Sequence, residues 1–201
     1  MAHDEDATPE AVIGFWEAEI GPKKWYASDA AVDDAVRTRF AALWEAARGG
    51  AGLGWTPTPR STLALVIVLD QFPRNMFRGD GRAFATDAEA RMRAKCAIDK
   101  GWDRRIEGPL RQFFYLPLEH SESLADQERA VRLFAERMPE AEEHLLHARA
   151  HREVIRRYGR FPTRNAALGR TDTPAERDFL AAGGYGAVVR ELQPDSAVAA
   201  S

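Results

Sequence analysis

Cysteine, lysine and long apolar runs are all scarce in this chain of 201 residues. The single cysteine, Cys96, excludes an intrachain disulfide and points to a reducing compartment. The longest strongly apolar run is Leu63 to Leu69, far short of the roughly 20 residues that cross a bilayer. Met1 to Pro9 carries Asp4, Glu5 and Asp6 with no Lys or Arg, unlike the positive start of a secretory leader. From these shortages we expect a cytoplasmic protein with no membrane partner. Lysine is replaced by arginine, 24 against 4, and 35 alanines point to the same base-composition bias.

What is present is an ordinary globular composition. At 45% hydrophobic and 29% charged residues, the composition argues against disorder. The length predicts a single domain and needs neither metal nor disulfide to fold. A net charge of -3 argues against a generally basic nucleic-acid binder.

Apolar spacing is helical almost throughout. A first helix starts at Pro9, turns Val12, Ile13, Phe15 and Trp16 inward, and stops at Gly21-Pro22. Ser28 or Asp29 caps a second, whose stripe is Val32, Val36, Phe40, Leu43 and Ala47. Thr58-Pro59 opens a third, apolar on all sides from Leu65 to Leu69 and therefore central. A buried strand is the alternative there, disfavoured because no partner strand is legible. Thr86 and Glu89 form a capping-box pattern for a fourth helix. Gly108-Pro109 opens a fifth, which Pro117 ends or kinks. Ser123 to Met138 and Glu140 to Tyr158 are two more, and Thr173-Pro174 with Glu176 caps a short helix through Phe179 and Leu180. The expected fold is all-α, about eight helices in antiparallel hairpins with no sheet. We expect a flexible N-terminus over 1–8, one helical domain over 9–192 and a flexible tail over 193–201.

Three motifs carry the chemistry-bearing residues. The first runs Asp70-Gln71-Phe72-Pro73-Arg74-Asn75-Met76-Phe77-Arg78-Gly79. Asp70 follows a buried run at a helix C-terminus, where dipole and burial both disfavour its charge, so it needs a cation. Arg74 and Arg78 are the nearest. The third, Gly159-Arg160-Phe161-Pro162-Thr163-Arg164-Asn165 to Gly169-Arg170, repeats Phe-Pro and then Arg-Asn, with one residue inserted after the proline, and also ends on a Gly and an Arg. If the two turns face each other, their guanidinium forks make an anion pocket. The bland alternative is two similar structural turns. The second motif, Tyr115-Leu116-Pro117-Leu118-Glu119-His120-Ser121-Glu122, sets His120 between two carboxylates, as a possible base or as part of a helix-capping loop. His144, His147 and His151 share one helix face, but the first and last are about 10.5 Å apart along the axis, so one ion cannot take all three. We expect no metal site. His151 is of more interest because it lies shortly before Arg160.

These ordered motifs, with the early Phe15-Trp16, resemble the bacterial domain-of-unknown-function family numbered 924 over about residues 9–192. The resemblance implies an all-α, tetratricopeptide-like right-handed superhelix and supplies no activity and no cofactor. It carries over Asp70, Arg74, Asn75, Arg78, Glu119, His120, Ser121, Glu122, Arg160, Arg164, Asn165 and Arg170 as motif positions. A histidine commonly follows the second Phe-Pro in that family, and this chain has Thr163 there.

Three functions compete. In the first, Arg74, Asn75, Arg78, Ser121, Glu122, His151, Arg160, Arg164, Asn165 and Arg170 hold a small phosphate- or carboxylate-bearing ligand, with His120, Asp70 and Glu119 as candidate catalytic groups. In the second, the motifs are architectural and a helical groove takes a peptide or protein. In the third, the seven arginines of 149–170 contact RNA, a reading the net acidity disfavours.

Overall fold

The computed structural model describes residues 7–49 and 53–193. Most of the two segments expected to be flexible, 1–8 and 193–201, lies outside the described residues. Among the described residues the fold is all helical, with no strand.

The chain divides into two compact units, one ending at Pro117 and one beginning at Leu118. The first opens with α1 (Pro9–Gly14), capped by the Thr8 side chain, which continues as a π-helical turn over Phe15–Ile20 and stops at Gly21. Asp29 caps α2 (Ala30–Arg48). Thr58 and Ser61 form a reciprocal capping box at the start of α3 (Pro59–Asp70). Leu63, Ala64, Val66, Ile67, Val68 and Leu69 are all buried. As a helix rather than a strand, α3 packs against α1, α2 and α5 (Asp87–Asp99), as an all-round apolar run requires. The short α4 (Phe72–Met76) follows α3 almost directly and lies on α2. Phe15, Phe40 and Phe72 meet at centroid distances of 4.7 to 6.2 Å and fill the unit's interior.

One expected cap is not made. The Thr86 hydroxyl donates to the Leu69 carbonyl and accepts from Trp44 Nε1 at 3.1 Å, while Glu89 pairs with Arg93 at 2.7 Å. Thr86 therefore ties α5 to α2 and α3 instead of closing a capping box. The fifth expected helix is a 3-10 segment over Gly108–Phe114, followed by α6 (Leu116–Glu119), which contains Pro117 at its start.

The second unit is built on α7 (Leu124–Arg137), α8 (Glu142–Tyr158), α9 (Pro174–Ala181) and α10 (Gly184–Leu192). α8 packs against both α7 and α10. Its core is Ala150, Val154, Ile155, Phe161, Phe179 and Val188. Gly159 closes α8 in the left-handed region, φ 71°, which turns the chain back so that Phe161 enters this core. Thr173 and Glu176 form the expected capping box of α9.

Candidate functional site

The first motif is an internal clasp. Asp70 is 1% exposed at the end of α3. Arg74 Nη1 lies 3.4 Å from its carboxylate and also donates to its backbone carbonyl. The same guanidinium grips Asp87, at the start of α5, with two hydrogen bonds of 2.9 and 3.0 Å. Burial works against the Arg74 charge, but Asp70 and Asp87 more than offset it. Arg78 does not reach Asp70. Its Nε and Nη2 take the two oxygens of Asp33 on α2, at 2.5 and 2.8 Å, and Asn75 Nδ2 donates to Asp33 at 2.8 Å. Burial opposes the Asp33 charge, yet Arg78 and Asn75 hold its carboxyl below the usual range.

The third motif makes a second set of internal pairs. Arg160 forks onto Glu176 in the first turn of α9 at 2.6 and 2.8 Å, which together with the Thr173 backbone N–H brings the Glu176 carboxyl down to about 2. Arg170 forks onto Glu122 at 2.8 and 3.0 Å, and the Phe161 N–H donates to Glu122 at 2.9 Å. Burial opposes the Glu122 charge, but Arg170 and Phe161 hold the carboxyl below its usual range. Asn165 is buried and donates to Asp172 at 2.6 Å. Ser121 is a turn residue. Its hydroxyl donates to Asp126 at 2.8 Å and accepts the Ser123 N–H at 3.2 Å. Elsewhere in 149–170, Arg152, Arg156 and Arg157 meet Glu128, Glu153 and Glu191 at 3.6 Å or less.

Around His151 the second unit gathers residues of a different kind. A pocket of about 240 Å³ is lined by His151, Val154, Phe161, Thr163, Arg164, Phe179 and Tyr185. α8 presents His151, the turn after Gly159 presents Phe161, Thr163 and Arg164, and α10 presents Tyr185. His151 Nδ1 lies 2.9 Å from the His147 carbonyl, 3.2 Å from the Tyr185 hydroxyl and 3.3 Å from Glu119 Oε2. Glu119 is 2% exposed. The His120 ring lies 6.3 Å from that of His151. The Tyr185 hydroxyl is 2.7 Å from His147 Nδ1. The Arg164 guanidinium stacks over Phe161, 4.5 Å from the ring centroid.

Electrostatics keep this ring neutral. Burial first, then His120 and Arg164, bring His151 down to about 3, although the His147 carbonyl acts the other way. Burial and the nearby Glu119 charge push the Tyr185 hydroxyl up, so it stays protonated. Of the motif residues, the structure thus brings Glu119, His120, His151 and Arg164 to one place. Arg74, Asn75, Arg78, Ser121, Glu122, Arg160, Asn165 and Arg170 are engaged by partners within their own unit. Tyr185 and His147 were not anticipated as site residues. Tyr185 sits in Gly183-Gly184-Tyr185-Gly186, a stretch whose glycines hide the start of α10. Among the described residues no three His, Cys, Asp or Glu side chains are placed to hold one metal ion. Among the described residues no helix is long and apolar enough to cross a membrane.

Another pocket, of about 340 Å³, lies in the first unit between Trp55, Leu65, Met92, Cys96 and Trp102. Its cations are already occupied: Arg93 pairs with Glu89, and Lys100 sits over the Trp102 ring at 4.7 Å.

Fold and site define an all-helical protein with a buried His–Glu–Tyr cluster beside a guanidinium. The chain belongs to the family described as "Bacterial protein of unknown function (DUF924)", which matches residues 12–184. It is similar to a solved structure titled "Structure of Protein of Unknown Function ATU0120 from Agrobacterium tumefaciens", with 43% identity and a TM-score of 0.80. That likeness covers 86% of this chain and 96% of the other. No curated protein matches the chain.

Proposed function

We propose that this protein binds a small anionic molecule, bearing a phosphate or a carboxylate, in the His151 pocket, with Arg164 as its cationic contact. The observation that supports this most is the pairing, in one pocket of about 240 Å³, of a guanidinium with a neutral imidazole between apolar walls. A charge lining a partly dry pocket attracts an anion more strongly than the same charge on open surface. Arg74, Arg78, Arg160 and Arg170 we assign to architecture, since none of them lines the pocket and each forks onto a carboxylate of its own unit. Asp70 joins them. Glu119 and His120 orient and electrostatically set His151. Binding is favoured ahead of catalysis, because a ring with a pKa of about 3 resists the proton that a general base must take.

Thermal melting against a panel of inorganic phosphate, phosphorylated metabolites and carboxylic acids tests this reading. At least one anion raises Tm in a concentration-dependent way. Arg164→Gln loses that shift and Arg177→Gln keeps it. A panel without effect, or a shift that survives Arg164→Gln, contradicts the proposal.

The internal pairing of the other arginines favours a second reading for the motifs: a helical scaffold, in the tetratricopeptide-like superhelix that the resemblance implies, binding a peptide or protein. That reading predicts a silent anion panel.

A further inference from the structure

We infer that the His151 pocket recognises a hydroxyl or N–H donor carried on a small apolar body, of which phenol is the simplest, with the donor hydrogen on His151 Nε2. The inference goes beyond the anion reading and takes nothing from the Arg164 charge. That guanidinium stacks on Phe161 and also acts on the Glu122 carboxylate.

The argument starts at the other ring nitrogen. His151 Nδ1 faces the His147 carbonyl at 2.9 Å and Glu119 Oε2 at 3.3 Å. A carbonyl accepts only, so Nδ1 carries a hydrogen. The Tyr185 oxygen, 3.2 Å from the same nitrogen, fits as a further acceptor, because its own hydrogen goes to His147 Nδ1 at 2.7 Å. A neutral imidazole has one N–H, so Nε2 is a lone pair. His120 and Arg164 oppose a second proton on the ring.

Neighbouring rings hold the imidazole in this orientation. Phe161 meets it edge-on at a centroid distance of 5.6 Å, and Tyr185 packs on it at 4.7 Å. Turning the ring over would also give up the hydrogen bond to His147. Among the described residues, every hydrogen bond and ion pair of His151 runs through Nδ1. With that edge covered, the exposed part of the side chain, which forms part of the pocket wall, is the edge that carries Nε2.

The rest of the wall sets the body of the ligand. Val154, Phe161 and Phe179 are apolar. The volume of about 240 Å³ exceeds the roughly 150 Å³ that holds a benzene ring, so one six-membered ring and its substituent fit. The Thr163 hydroxyl on the same wall both donates and accepts, so it does not select between ligands. Nε2 does select. A molecule of the same shape with no donor covers this nitrogen and leaves it unpaired.

Phenol and anisole titrated into the full chain, followed by protein NMR, test the inference. Both are neutral at about pH 7.5, since a phenolic hydroxyl titrates near 10. Anisole is the more apolar, so hydrophobic transfer alone predicts that it binds more tightly. We expect the reverse, with phenol favoured roughly 5- to 100-fold, the range for a polar atom left covered and unpaired. His151→Phe erases that preference. A long-range ¹H–¹⁵N spectrum of the unmutated protein supplies a readout that needs no variant: Nδ1 protonated, Nε2 bare, and the Nε2 resonance moving upfield as phenol saturates. Anisole binding as tightly as phenol, a hydrogen on Nε2 in the free protein, or no binding by either probe overturns the inference. None of these outcomes touches the anion reading, which its own panel decides.

Discussion

At His151, burial and the neighbouring His120 and Arg164 act against the imidazolium, and the result is a ring held neutral with one edge fixed. The consequence for stability has a definite sign. The folded value of about 3 lies below the ordinary 6.5, so between those two pH values the unfolded chain binds a proton that the folded ring refuses. Stability is then complete above 6.5 and is lost as pH falls through this window. We expect the urea midpoint to fall between pH 6.5 and 4, and to fall less in His151→Phe. An identical pH dependence in the two proteins would show that the ring is not held as described. The sequence shows His151 only as one of three histidines on a helix face. Its setting depends on Glu119, which is 32 positions earlier, and on Tyr185, which is 34 later. No local pattern connects them.

At the scale of elements, the two Phe-Pro motifs do similar work by similar means. In each unit an arginine forks onto an acid in the first turn of the next long helix: Arg74 onto Asp87 of α5, and Arg160 onto Glu176 of α9. A carboxylate there favours the helix dipole, and the planar fork fixes its direction. The repeated Phe-Pro and Arg-Asn pairs were legible in the sequence, and so was the need of Asp70 for a cation. The carboxylate partners Asp33, Asp87 and Glu122 were not, because burial and pairing are tertiary facts. Thr86 fails as a cap for the same reason: Leu69 and Trp44 compete for its hydroxyl. Arg74→Ala leaves Asp70 and Asp87 without their guanidinium, and removing one partner of a buried pair costs about 3–5 kcal/mol. Arg74→Lys recovers part of that, since an ammonium cannot reproduce the fork. Urea denaturation measures both. A loss below about 0.5 kcal/mol for Arg74→Ala, the range of neutral surface changes, would remove the clasp from the account.

For the whole molecule, helical class was readable from period and caps alone, and α1, α2, α3, α7, α8 and α9 begin within a few residues of where their signals stand. What the sequence hid was division and assignment. The chain forms two compact units, and the Phe-Pro motifs fall in different ones. Arg74, Arg78, Arg160 and Arg170, which the sequence offers as one anion pocket, each fork onto a carboxylate of their own unit, and Arg164 lines a pocket. This separation of roles is the central claim, and side-chain NMR reads it directly. In a titration with inorganic phosphate, the Arg164 Nε–Hε and His151 ring resonances should move together and saturate, while those of Arg74, Arg78, Arg160 and Arg170 stay in place. Saturable shifts at the four clasp arginines, with Arg164 and His151 unmoved, would contradict it.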